Sequence, residues 1–127
     1  MKLTKSPAQR AAQAARLHAR QDALLAALPP CTDLLRGSFF VRTLRCGKPS
    51  CRCATGKGHR VAYVSVTYPG GRTQQLTVPK PLVPVVRRWI ANYQRWWRAI
   101  ERVSELNRRL LRERLLPATP PPAADAR

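Results

Sequence analysis

Acidic side chains are scarce in this sequence. Six Asp and Glu stand against 24 Lys and Arg, and none of the six lies between Leu34 and Ile100. A hydrolytic centre that works through Mg2+ needs several carboxylates to hold the ion, and that stretch supplies none. Glu101 and Glu105 are one helical turn apart, but Arg98 precedes the first by three residues and Arg109 follows the second by four. Surface ion pairs explain them better than paired catalytic acids do. Histidine is as sparse, with two residues. His18 has no Cys or second His near it, and a dyad of Ser38 with His59 would lack the acid that orients the imidazole. The chain is therefore not expected to be an enzyme. Nor is there any run approaching the ~20 apolar residues of a membrane span, so no membrane role is expected. The opening, MKLTKSPAQRAAQAARLHAR, is charged throughout and lacks the apolar core of a secretory leader. A cytoplasmic location is the expectation, and there disulfides are rare.

What the chain has in excess is positive charge. The formal net charge is +18 and the isoelectric point is near 11.6. Nineteen of the basic residues are Arg, in a chain also rich in Ala and Pro, the mixture that a GC-biased coding sequence produces. Part of the excess is therefore compositional. Its distribution says more: 13 basic residues run from Arg36 to Arg98 without one acid among them. No acid within that stretch offsets their charge, so their field is open to phosphates.

The 127 residues suffice for one small domain. Ser6-Pro7 opens a helix, with Ser6 as cap, Pro7 at the first helical position and Gln9 placed to close a capping box. The Ala-rich run continues to Leu28, and Pro29-Pro30 stops it. From Gly37 to Val78 the pattern is β. Phe39–Arg45 reads as one strand. Val61–Tyr68 alternates, with Val64, Val66 and Tyr68 on one face. After Pro69-Gly70-Gly71, Arg72–Val78 returns with Leu76 and Val78 inward. Beyond the prolines at 79, 81 and 84 one helix is expected to about Leu116. Apolar residues at 86, 89, 93, 96, 100, 103 and 110 follow a repeat near 3.5, with Asn107 in the same seam. That pattern fits either a coiled coil or a helix covering the sheet. The expected class is α+β: an N-terminal helix (1–30), then a small three-stranded antiparallel sheet with a metal-binding loop and a long C-terminal helix (31–116). A Pro/Ala-rich tail (117–127) is expected to be disordered.

Four cysteines are present, at 31, 46, 51 and 53. Cys46, Cys51, Cys53 and His59 supply the four soft or borderline ligands of a tetrahedral zinc site. Gly47, Gly56 and Gly58 let backbone wrap tightly around an ion, and Lys48, Arg52 and Lys57 favour thiolate. The spacing, Cys-x4-Cys-x-Cys-x5-His, matches no common paired Cys-x2-Cys zinc pattern. A structural Zn2+ is expected, with Cys31 as the alternative to His59 for the fourth ligand. A metal-free thiol loop is the competing reading. A thiol-dependent activity at Cys51 or Cys53 is a further one.

At this segment the chain resembles a bacterial family of small basic proteins catalogued as a domain of unknown function. The resemblance rests on Gly37-Ser38, then Cys46-Gly47-Lys48-Pro49, Cys51, Cys53 and His59. Val78-Pro79-Lys80 before the long helix and the pair Trp89 and Tyr93 extend it over about residues 36–111. The chain departs from the family's pattern after the histidine, where Arg60-Val61-Ala62 replaces Gly-Pro and an aromatic. Members are often found near transposase genes, so the resemblance implies mobile-element biology and a transposase as a possible partner, and brings no established activity.

The function expected is a zinc-stabilised nucleic-acid-binding accessory module. Arg42, Arg45, Lys48, Arg52, Lys57 and Arg60 would ring the metal loop and contact the phosphate backbone of DNA or RNA. Trp89, Tyr93 and Trp96 are expected in the core, whereas Trp97, off the seam, is the exposed aromatic. The alternative is a protein-interaction module in which the long helix forms a homodimer or docks on another protein, with no direct nucleic-acid binding.

Overall fold

A computed structural model of the chain describes residues 5–116. The tail expected over 117–127 lies outside them. The first helix, α1 (Pro7–Ala26), is capped as the sequence requires. The Ser6 hydroxyl accepts the Gln9 N–H at 3.1 Å, and the Gln9 side chain accepts the Ser6 N–H at 2.8 Å. Strands β1 (Ser38–Leu44), β2 (His59–Thr67) and β3 (Thr73–Val78) form an antiparallel meander in the order β1-β2-β3. A 3-10 turn over Lys80–Leu82 leads into the long helix α2 (Val83–Arg112). The α+β architecture expected from the sequence is thus the observed one. No helix among the described residues is long and apolar enough to cross a membrane.

The chain divides into two compact units, Leu28–Trp97 and the segments on either side of it. In the first unit the sheet buries one face. Val64, Val66 and Val78 form its centre, and Leu35, Phe39, Ala62, Tyr68, Val83, Val86 and Ile90 pack around them. Three short strands do not hold alone, and the start of α2 gives them the apolar cover they need. Polar contacts tie the segment before β1 to the same helix. The Leu35 N–H donates to the Trp89 carbonyl (3.1 Å), the Asn92 amide to the Asp33 carbonyl (3.1 Å), and the Trp96 indole N–H to the Pro29 carbonyl (2.9 Å). Leu76, expected inward, faces the same way as its partner Val64 but remains 43% exposed. It sits on an edge strand, where cover exists on one side only.

In the second unit α1 packs on the C-terminal half of α2. Leu17, Leu106, Leu110 and Leu115 form the core, with Ala14 and Leu24 against it. Two glutamines of α1 are buried there with their amides satisfied. Gln13 donates to Glu113 (2.7 Å), and Gln21 to Asn107 (2.7 Å) and the Val103 carbonyl (3.2 Å). Two positions of the expected 3.5-residue seam therefore differ. Ile100 is 49% exposed, and Asn107 is exposed and bonded to Gln21 within the chain. The buried residues of α2 are Asn92, Ala99, Leu106 and Leu110, so the covered positions at 92, 99 and 106 lie one residue before the expected 93, 100 and 107. This is a helix that covers its own chain, and the coiled-coil reading has no support in it.

Candidate metal centre

Cys46, Cys51 and Cys53 lie on the loop between β1 and β2, and His59 is the first residue of β2. The strand ladder closes with Leu44 opposite His59, which brings the two ends of the loop together. Gly47 (φ +82°) reverses the chain just after Cys46, in the left-handed region that other residues enter at a cost. The Lys48 carbonyl then accepts the Cys51 N–H (3.1 Å), and the Cys51 carbonyl accepts the Ala54 N–H (3.0 Å), opening a 3-10 turn over Arg52–Ala54. Gly58 passes close under the end of β1, so that a Cβ there would stand 2.5 Å from the Leu44 carbonyl oxygen. Only glycine fits that approach. The sequence pattern of small residues around the cysteines thus has a steric cause at Gly47 and Gly58.

These constraints gather four donors. The sulfurs of Cys46, Cys51 and Cys53 and a ring nitrogen of His59 all lie within 4.8 Å of one another. Cys46 and Cys53 are 3.4 Å apart at sulfur, and Cys51 Sγ is 3.1 Å from His59 Nε2. A tetrahedral zinc with bonds of about 2.3 Å to sulfur and about 2.0 Å to nitrogen sets donor separations of roughly 3.5–3.8 Å. The measured separations bracket that range, so the residues fit a metal ion. Cys53 is the buried member, 1% exposed, whereas Cys46 and His59 open to solvent. The Cys46 backbone N–H donates to the Cys53 sulfur at 3.3 Å. Such a donor stabilises negative charge on sulfur. Cys31 is exposed and lies outside the group, so the geometry favours His59 as the fourth ligand.

The electrostatics agree with a ligand set. Without an ion, the Cys51 thiol is lowered to about 6, first by the Cys53 backbone N–H, then by the Cys53 thiol and His59. The Cys46 thiol is lowered too, chiefly by the Lys48 backbone N–H. His59 is raised by the side chains of Cys46 and Cys51. At Cys53 the Cys46 backbone N–H pulls downward, but burial and the two neighbouring thiols together push the thiol up. Three thiols crowded this closely repel as thiolates, and a divalent cation removes the conflict.

The basic side chains singled out in the sequence, Arg42, Arg45, Lys48, Arg52, Lys57 and Arg60, are all exposed on this loop and the strand ends that carry it. Sequence reasoning passed over a neighbouring feature. Phe40 and Tyr63 stand opposite each other on β1 and β2, and their rings stack at 5.4 Å. The alternation of each strand hinted that both face away from the core, but their pairing depends on the register set by the loop.

No curated protein and no solved structure matches this chain. A family model matches residues 13–88, beginning inside α1 and running through the sheet and all four donors to the first turns of α2. That span is more than half of the sequence, and by it the chain belongs to the family described as Domain of unknown function (DUF6788).

Proposed function

We propose that this chain is a zinc-stabilised, non-catalytic nucleic-acid-binding accessory module. One observation carries the reading: an acid-free stretch with 13 basic residues, Leu34 to Ile100, encloses the four-donor loop. Zinc would hold the Cys46–His59 loop closed as a structural ion, replacing the apolar core that so short a segment cannot build. Arg42, Arg45, Lys48, Arg52, Lys57 and Arg60 would then sit on a fixed frame and contact phosphates. Each contact releases condensed counterions, which gives affinity without base choice. A cytoplasmic location and the mobile-element setting that the family resemblance implies belong to the same reading, with a transposase as a further partner.

Fluorescence polarisation of the metal-loaded protein with labelled DNA and RNA, at several salt concentrations, tests it. Six phosphate contacts make log K fall against log salt with a slope of about −5. Binding that is absent, or flat with salt, refutes the reading.

A second reading has its own observation. Trp97 and Ile100 are three residues apart on α2 and about half exposed, at 54% and 49%. If α2 docks a second copy or another protein there, Trp97→Ala with Ile100→Ala abolishes the association in sedimentation experiments and leaves metal content intact.

A further inference from the structure

The sheet has a second face, and its side chains stand in ordered rows across the strands. The ladder sets Ser38 beside Ser65 and Ser65 beside Gln75. The next row is Phe40, Tyr63 and Thr77, and the one after it is Arg42 with Val61. His59 and the metal loop close that end. The Phe40 and Tyr63 rings are nearly parallel, at 20°, and the Arg42 guanidinium lies over both, 5.2 Å from one centroid and 5.7 Å from the other. None of the residues packed in the sheet's core belongs to this face.

We propose that this face binds single-stranded RNA, with bases stacked on the Phe40–Tyr63 pair and against Arg42. The inference rests on the nucleic-acid reading above and deepens it. Aromatic rings and guanidinium planes are the surfaces on which unpaired bases stack. Arg42 already lies over the rings as a guanidinium plane does in a base stack, and a base would stack on its outer side or take its place on the rings. Successive rows stand about 6.7 Å apart, twice the rise per strand residue. A duplex spaces its nucleotides at about 3.4 Å along each strand. Bases that follow the rows are therefore splayed, as only a single strand allows. The Ser38, Ser65 and Gln75 row offers hydroxyl and amide donors and acceptors beside the rings, the groups that can meet a ribose 2′-OH. The surrounding acid-free stretch supplies charge complementary to the backbone.

Cross-strand aromatic pairs also stabilise sheets, so the test separates binding from folding. It uses the metal-loaded full chain with a short mixed-sequence RNA, the same sequence as DNA, and the duplex. The unmodified protein should bind the RNA most tightly. Phe40→Leu with Tyr63→Leu keeps apolar bodies on the face and removes the rings. It should weaken RNA binding by about tenfold or more, with duplex binding and metal content unchanged. Should that pair fail to fold, Arg42→Lys keeps the charge and removes the plane, and it should lower RNA binding severalfold, more than it lowers duplex binding. Ser65→Ala with Gln75→Ala should erase the preference for RNA over DNA. Ring-free and Arg42→Lys variants that bind RNA like the parent overturn the inference and leave the nucleic-acid reading standing. So does a parent that prefers duplex, or binds single-stranded DNA equally. A parent that binds no polynucleotide overturns both.

Discussion

Cys46 meets Cys53 twice: its backbone N–H donates to the Cys53 sulfur at 3.3 Å, and its own sulfur lies 3.4 Å from the same atom. Cys53 is thereby the inner anchor of the four donors, buried and bonded, while Cys46, Cys51 and His59 close around it. Protein purified with zinc should carry about one ion per chain. Elemental analysis of Cys53→Ser and His59→Ala should find it lost, and Cys31→Ser should retain it. Retention in Cys53→Ser, or loss in Cys31→Ser, contradicts the ligand set derived from the geometry. Chelation of the parent should also unfold the loop, since the ion's binding energy is part of its folding energy.

Gly58 carries the tightest steric demand in that loop. A methyl group there would meet the Leu44 carbonyl carbon at 2.7 Å as well as its oxygen at 2.5 Å, and both are backbone atoms of the closing ladder. They cannot move aside without breaking the Leu44–His59 pairing. Gly58→Ala should cost about 1–3 kcal/mol in urea unfolding and release the metal more readily to chelator. Gly56→Ala is the control, because its nearest neighbour, the Arg52 carbonyl oxygen, is 3.4 Å away, an ordinary contact.

The contrast between what could be read in the sequence and what could not follows from range. The cap at Ser6 and the four donors are local patterns, complete within a short segment, so residue type and spacing suffice to find them. Val64 and Val66, two of the three valines at the sheet's centre, announced themselves by alternation. The Phe40–Tyr63 stack did not, because a loop of unpaired residues separates the strands and sets their register. The bond from Gln21 to Asn107 joins residues 86 apart, and no local signal marks a buried glutamine in an Ala-rich helix. The repeat along α2 failed at Ile100 because the residue covered in that turn is its neighbour Ala99, whose small side chain gives a weaker apolar signal than isoleucine.

Glu113 links pH to the stability of the helical pair. Its carboxylate accepts from Arg109 Nε at 2.7 Å and from the Gln13 amide at 2.7 Å. Arg109 first, then Gln13, hold its pKa below the ordinary carboxylate value against the opposing effect of burial. A depressed folded-state pKa contributes stability above the unfolded value, and that contribution vanishes as pH falls through the folded value. The thermal midpoint of the parent should therefore exceed that of Glu113→Gln near neutral pH. The gap should close on acidification below about 4.3, the unperturbed glutamate value. A gap that is constant with pH would mean that the substitution acts through packing instead.

Leu110 and Leu111 are adjacent on α2 and should behave in opposite ways. Leu110 is fully buried, 0% exposed, among Leu17, Leu106 and Leu115, whereas Leu111 is 66% exposed. Truncating a buried leucine removes its transfer energy and leaves a cavity that the neighbours fill only in part. Leu110→Ala should therefore cost about 2–5 kcal/mol in denaturant unfolding. Leu111→Ala should stay within about 0.5 kcal/mol of the parent. Ile100→Ala distinguishes the packing seen here from a seam that needs a partner. At 49% exposure it should cost little in the isolated chain at any protein concentration. A large, concentration-dependent loss would mean that Ile100 is buried against another molecule in solution, and that α2 does more than cover its own chain.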